Sequence, residues 1–247
     1  MSDVPTDRPR SSTAGIPRYL RSVLPDKLYQ SVRDFSALYG DAPYAIFLGA
    51  LQVYLSRYTA QSDIVIGMLA PHRGGKVSDM SADILPVGTE DIGSRSFRNL
   101  LEHIRASLSV QTKSTSEANA TSPSNGADFQ ILFSYRSAND EPGTSLHVLN
   151  AAQSPRYELF LEVIEQDDSF VFYLRYDASL FDAPTVERIQ HQYFRLLESI
   201  LAAPDLFPED YSILPDKDLQ DVIHEWNKTK FEYPADTCFH ELFEIQS

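Results

Sequence analysis

The residues first weighed for chemistry are the six histidines, and they are scattered: His72, His103, His147, His191, His224 and His240. No His-Glu-x-x-His pair and no His-x-His occurs, so the spacing of metal ligands is missing. His103 and His191 fall inside predicted helices near their polar faces, where a lone imidazole reads as structural or merely exposed. Gly74-Gly75-Lys76 superficially suggests a phosphate loop. Ala70 stands where the first glycine belongs, however, and Val77 replaces the Ser/Thr that would hold magnesium, leaving a glycine turn after a strand. There is no Gly-x-Ser-x-Gly elbow for a serine nucleophile. Cys238 lies in the tail beside Phe239 and reads as an incidental thiol. Glu162, Glu165, Asp167 and Asp168 gather around a predicted turn. Paired acids do acid–base work when burial separates their pKa values, but at a turn solvent levels them, so they read as a solvated edge that discourages strand pairing. No catalytic set, metal site or cofactor site emerges from these residues.

Composition narrows the class. Of 247 residues, 43% are hydrophobic and 11% aromatic, an ordinary globular balance with enough chain for a sizeable core. The formal charge is 21 − 35 = −14, which argues against nucleic acid or an anionic membrane as the main partner. A single cysteine excludes an intrachain disulfide framework. No apolar run approaches the ~18 residues of a membrane span, and residues 1–10 lack the apolar core of a signal peptide. The expected location is the cytoplasm.

The elements follow from periodicity. Residues 1–18, rich in Pro, Ser, Thr and Arg, read as an extended arm. Leu28, Val32, Phe35 and Tyr39 form one helical stripe, stopped by Gly40. Asp41 is expected to cap a second helix with Pro43 in its first turn, its stripe running from Ile46 to Tyr58. Ile64–Leu69 reads as a buried strand. Residues 74–94 are loop-like, with Ile84–Val87 as an edge strand. Ser96 starts a third helix (Phe97, Leu100, Leu101, Ile104, Leu108). Residues 111–127, with no apolar side chain larger than alanine, read as a flexible insert. Further strands are expected over 129–135, 157–164 and 170–176, the last two forming an antiparallel hairpin whose Phe170, Phe172, Leu174 and Tyr176 share one face. Asp182 caps a fourth helix bearing Val186, Ile189, Tyr193, Leu196, Leu197 and Ile200. Interleaved helices and strands predict a layered α/β fold.

Several phrases then resemble, in order, the C-terminal lobe of condensation domains of nonribosomal peptide synthetases. Pro5-Thr6-Asp7-Arg8-Pro9 looks like the PTDRPR phrase that opens this half. Leu55–Gly67 with Ala70-Pro71-His72-Arg73 is close to LxRYTGQxDIVxGxPxxxR. Asp128–Tyr135 is similar to the FQVxFxxQ strand, and Arg175–Ile189 to the YxxxLFDxxTIERM phrase. After Ile213-Leu214-Pro215, the run Trp226-Asn227-Lys228-Thr229 … Tyr233-Pro234 … His240-Glu241-Leu242-Phe243-Glu244, with Gln246 in place, resembles the WNxT…YP…HxLFExQ linker that leads to an adenylation domain.

The resemblance implies a single chloramphenicol acetyltransferase-like lobe, a mixed sheet flanked by helices. It divides the chain into an arm (1–18), a truncated condensation-like domain (19–213, insert 111–127) and a linker (214–247). The family's catalytic HHxxxDG motif belongs to the other lobe, and the chain has neither adjacent histidines nor an Asp-Gly pair. The bridging phrase GFFVNTLPLR is reduced to Ser81–Val87, and the HQDxPFE segment is missing. The implied function is a non-catalytic platform at the start of a synthetase, with an adenylation domain as partner in cis and carrier-protein or other synthetase domains as further partners. No cofactor, metal, nucleic acid or membrane is implied. The alternative is half of a split condensing enzyme whose His-His-Asp-Gly lobe comes from a separate chain. The expected interface residues are Trp226, Asn227, Thr229, Phe231, Tyr233, Pro234, Phe239, Leu242 and Phe243, because buried aromatics dominate such contacts.

Overall fold

The computed structural model describes residues 4–10, 15–69, 84–117, 130–137 and 157–213, with side chains along the third helix described as far as Ser109. The chain divides into two compact units, Met1–Ile213 and Leu214–Ser247, and all described residues belong to the first. Strands β1 (Pro17–Val23), β2 (Ile64–Leu69), β3 (Ile84–Thr89), β4 (Ile131–Ser137), β5 (Leu159–Gln166) and β6 (Ser169–Asp177) form one sheet. Helices α1 (Asp26–Tyr39), α2 (Pro43–Thr59), α3 (Phe97–Glu117) and α4 (Ala183–Ala202) complete the fold. The six strands lie in the order β1-β6-β5-β4-β2-β3. β4 runs parallel to both β2 and β5, whereas β1–β6, β5–β6 and β2–β3 are antiparallel, so the sheet is mixed.

Side-chain alternation decides where the core sits. Phe170, Phe172, Leu174 and Tyr176 alternate along β6 and enter the main core with the stripes of all four helices, as the spacing predicts. Phe47 of α2 lies at its centre, its ring 5.0 Å from Phe170 and 5.2 Å from Phe172, both edge-on. The opposite face carries a smaller cluster of Leu69, Leu132 and Phe160. α2 is buried on nearly every side from Ala45 to Ser56, and its one mid-helix amide is satisfied: Gln52 donates to the Val87 carbonyl (3.1 Å) and accepts from the Thr89 hydroxyl (2.9 Å). A buried polar group so partnered fixes α2 against β3 without an unpaired dipole.

Most element ends match expectation. Gly40 ends α1 at φ 70° and its N–H donates to Ser36 O, a left-handed cap that glycine adopts without steric cost. Pro43 occupies the first turn of α2, and the Ser96 hydroxyl accepts from Asn99 N (3.4 Å) at the start of α3. The hairpin closes with Gln166 opposite Ser169.

Four expectations need correction. Asp41 does not cap α2. The cap position is Ala42, without a side-chain bond, and Asp41, 4% exposed, pairs with Arg105 of α3 at 3.0 Å. Asp182 sits at the cap position of α4 but makes no capping bond; Arg8 engages its carboxylate instead. The backbone of α3 continues to Glu117, seven residues into the expected insert, because Gln, Lys, Ser, Thr and Glu sustain a helix well enough without apolar anchors. Finally, β1 starts at Pro17, inside the expected arm, and its course to Val23 carried no readable signal.

Burial raises the Asp41 carboxyl above its ordinary value, opposed by Arg105 and reinforced by Glu102. The folded state therefore holds this proton more tightly than the unfolded chain. Its stability contribution is fully present below the ordinary carboxylate pKa and declines as pH rises through the raised value. Asp41→Asn, which retains an acceptor for Arg105, is expected to flatten that decline. Urea midpoints from pH 4 to 7 check it, and a parallel shift of the whole profile would refute it.

Candidate functional site

The densest polar construction among the described residues joins two stretches about 170 residues apart. The irregular segment from Thr6 to Arg10 lies against the turn between β6 and α4. Asp7 N and Arg8 N both donate to Leu180 O, at 3.0 and 3.2 Å. Asp7 accepts from Asp182 N (2.8 Å) through one oxygen and from the Thr185 hydroxyl (3.0 Å) through the other. The carboxylate serving the N-terminus of α4 thus comes from the arm, where it satisfies an orphan N–H and sits favourably at the positive end of the helix dipole. Arg8 donates to Ala178 O (3.0 Å) and pairs with Asp182. Arg10 grips Glu158 with two nitrogens, at 2.6 and 3.0 Å, and turns back to Val4 O at 2.7 Å. Val4 is 1% exposed and belongs to the main core, so the described part of the arm is anchored there.

Asp177 is the second node. Its Oδ1 accepts from Ile16 N (2.9 Å), Ser179 N (2.8 Å) and the Ser179 hydroxyl (2.7 Å). Burial pushes this carboxyl up, but the Ser179 hydroxyl, the N–H groups of Ser179 and Ile16, and Arg175 outweigh it and hold it below the ordinary range. Arg175 is 3% exposed and donates to Tyr157 O at 2.8 Å; burial pulls its guanidinium down, against Tyr19 and Asp177. Sequence reading missed the role of this residue, since nothing local marks an arginine on a strand as buried.

Two of the four hairpin carboxylates, Glu162 and Glu165, are not a solvated edge, whereas Asp167 and Asp168 lie exposed at the turn as expected. β5 is an interior strand, and Glu162 faces Arg136 of β4 at 2.7 Å with side chains only 13% and 18% exposed. Glu165 pairs with Arg33 of α1 at 2.7 Å and accepts the Tyr135 hydroxyl. Glu162 and Glu165 are thus committed to structural partners. His103 lies half-buried with Nε2 3.4 Å from Gly88 O, and His191 is exposed on α4. No group of three or more His, Cys, Asp or Glu among the described residues could hold a metal ion. What this arrangement does chemically is clamp: it ties arm, sheet and α4 into one body.

The remaining candidates fall elsewhere. Gly74, Gly75, Lys76, His72, His147, His224, His240 and Cys238 lie outside the described residues. So do all nine interface candidates: Trp226, Asn227, Thr229, Phe231, Tyr233, Pro234, Phe239, Leu242 and Phe243.

A mixed six-stranded sheet with helices packed on its main core face defines a chloramphenicol acetyltransferase-like lobe, as the resemblance implies. The same fold occurs in the crystal structure of holo-AB3403, a four-domain nonribosomal peptide synthetase bound to AMP and glycine (TM-score 0.71, 16% identity, 87% of this chain and 19% of that one). It recurs in the condensation domain of the Monacolin K polyketide synthase MokA (TM-score 0.62, 17% identity, 84% of this chain and 55% of that one). The chain belongs to the condensation domain family, whose model matches residues 1–223. Among curated relatives, it is 25% identical to the polyketide synthase PksN of Bacillus subtilis over 98% of its length. It is 26% identical to tyrocidine synthase 3 of Brevibacillus parabrevis over 89% of its length. It spans only 5% of the first of these relatives and 4% of the second. No described helix is long and apolar enough to cross a membrane.

Proposed function

We propose that this chain is a truncated, non-catalytic condensation lobe that serves as a structural platform for an adenylation domain, joined to it through the Trp226–Phe243 segment. The observation that carries the reading is chemical: the 247 residues contain neither adjacent histidines nor an Asp-Gly pair. Glu162 and Glu165 of the hairpin, meanwhile, are held in ion pairs instead of being poised for proton transfer, and Asp167 and Asp168 are exposed to solvent. The resemblance of residues 226–246 to the condensation–adenylation linker supports the partner. A cytoplasmic location accords with it.

Incubated with a donor and an acceptor carrier protein, each loaded with an aminoacyl group, the chain is expected to form no peptide. Turnover by the chain alone would overturn the non-catalytic assignment. The chain matches 55% of the MokA condensation domain, which keeps the split-enzyme reading in play. Peptide formed only after adding a separately made His-His-Asp-Gly lobe would establish that alternative. For the platform itself, Phe239→Ala with Phe243→Ala in a fusion to the adenylation domain should speed limited proteolysis at the junction about tenfold. That follows from losing anchor contacts worth more than about 1 kcal/mol. An unchanged rate would mean that these aromatics do not anchor the domains.

A further inference from the structure

β1 ends the sheet on one side, pairing only with β6 among the described residues. The backbone shows which of its groups are left over. Ala178 N donates to Ile16 O (2.7 Å) and Leu24 N to Phe170 O (2.9 Å), so the even-numbered residues of this stretch turn their peptide groups toward β6. Alternation along a strand then turns the N–H and C=O groups of Tyr19, Arg21 and Val23 outward, where no described residue meets them. Three of the six exposed large hydrophobics, Ile16, Tyr19 and Val23, lie at this same edge. The other edge strand, β3, is interrupted in its middle by Pro86, a device that discourages pairing. β1 has a proline only at its first residue.

We propose that β1 pairs antiparallel with β1 of a second copy of this chain, making one continuous sheet across a two-fold axis at Leu20. The register with full overlap is what selects this occupant. It sets Leu20 opposite Leu20, Tyr19 opposite Arg21, Arg18 opposite Ser22 and Pro17 opposite Val23. Outward-facing residues then meet outward-facing residues. Tyr19 and Arg21 of the two copies exchange N–H···O=C bonds, and Val23 N–H reaches Pro17 O. Arginines on an edge ordinarily discourage pairing, but in this register neither stands directly opposite a like charge. Arg21 meets the Tyr19 ring of the other copy, a cation–π contact that the symmetry makes twice, and Arg18 meets a serine. Sliding the strands one way sets Arg21 against Arg21. Sliding them the other way sets Tyr19 against Tyr19 and leaves Val23 unpaired. The pairing is independent of the proposed platform role. A single pair of strands sits at the low end of specific interfaces, so the association is weak.

Sedimentation equilibrium of the full chain from about 10 μM to about 1 mM should show a reversible monomer–dimer equilibrium. Two substitutions test the register. Arg21→Glu removes both cation–π contacts and should weaken dimerisation about tenfold. Tyr19→Glu sets a carboxylate opposite Arg21 of the other copy and should leave the dimer as tight as wild type or tighter. Both changes add negative charge to a chain whose formal charge is already −14, so general repulsion would weaken both; only this register separates them. Both side chains are exposed, so the fold is retained, and circular dichroism checks it. A chain that stays monomeric to about 1 mM would overturn the proposal and leave the edge to a strand of a different protein. So would a dimer that both variants weaken equally, or that neither affects.

Discussion

Replacing Asp177 by alanine is expected to destabilise the lobe by roughly 3 kcal/mol at neutral pH, because it leaves several donors without their acceptor at once. Asp177 is 8% exposed, so water does not readily replace it. Its Oδ1 serves the N–H groups of Ile16 and Ser179, and the Ser179 hydroxyl. The buried Arg175 guanidinium would also lose a carboxylate that favours its charged form. The pH dependence has a definite sign. The folded-state pKa of Asp177 lies below its unfolded value. Its contribution is therefore fully present above the ordinary carboxylate pKa of about 4 and is lost as pH falls through the depressed folded value. Asp177→Asn should keep part of the hydrogen bonding but lose this acid limb. A Cβ at residue 15 would stand 2.1 Å from Asp177 Oδ2, so Gly15→Ala should reproduce part of the loss by pushing the carboxylate off its donors. Urea denaturation from pH 3 to 7 measures all three. An alanine variant within about 0.5 kcal/mol of wild type, the range of an ordinary surface change, would refute the account.

These nodes also show why the sequence was legible in some places and opaque in others. Stripes such as Leu28–Val32–Phe35 and Phe170–Phe172–Leu174–Tyr176 are local patterns with one period. Burial of one face is enough to realise them, and the structure places both in the main core. β1 has no such pattern. It is an edge strand pairing only with β6 among the described residues, and its residues are mostly exposed, so Pro17 to Val23 show no apolar alternation. The misassigned caps share a cause. Asp41 and Asp182 each stand where a cap is expected from local sequence, but tertiary partners took both side chains: Arg105 from α3 and Arg8 from the arm. The carboxylate that replaces Asp182 comes from Asp7, and no rule of local spacing can find a partner 175 residues away. The family resemblance contained the answer in a form that sequence alone could not decode. The Pro5–Pro9 and Arg175–Ile189 phrases are separate in sequence but contiguous in the fold, where each supplies what the other lacks. The linker residues proposed as the interface carry the least local physics, because their aromatics gain meaning only from the surface they meet.

Breaking the Arg136–Glu162 pair should have an effect of similar size, but one that a second change cancels. The two side chains lie on the face of the sheet opposite the main core, where the neighbouring pair Leu132–Phe160 is apolar. They are 18% and 13% exposed and meet at 2.7 Å. In so dry a setting, desolvation takes back much of what the Coulombic attraction gives, and the pair adds little net stability over apolar residues of the same volume. Removing one partner is a different matter, since it leaves a charge buried without compensation. Arg136→Met or Glu162→Leu alone is therefore expected to lower stability by about 3 kcal/mol. The Arg136→Met/Glu162→Leu double variant should return to within about 1 kcal/mol of wild type, giving a coupling energy far above that of a surface pair. A double-mutant cycle in urea at pH 7 provides the measurement. If the two single losses simply add, the pair is behaving as two independent solvated side chains, and the dry second face inferred from Leu132 and Phe160 is wrong. If the double variant recovers, Glu162, which looks in sequence like part of a charged strand edge, is half of a structural ion pair and is not free for acid–base work.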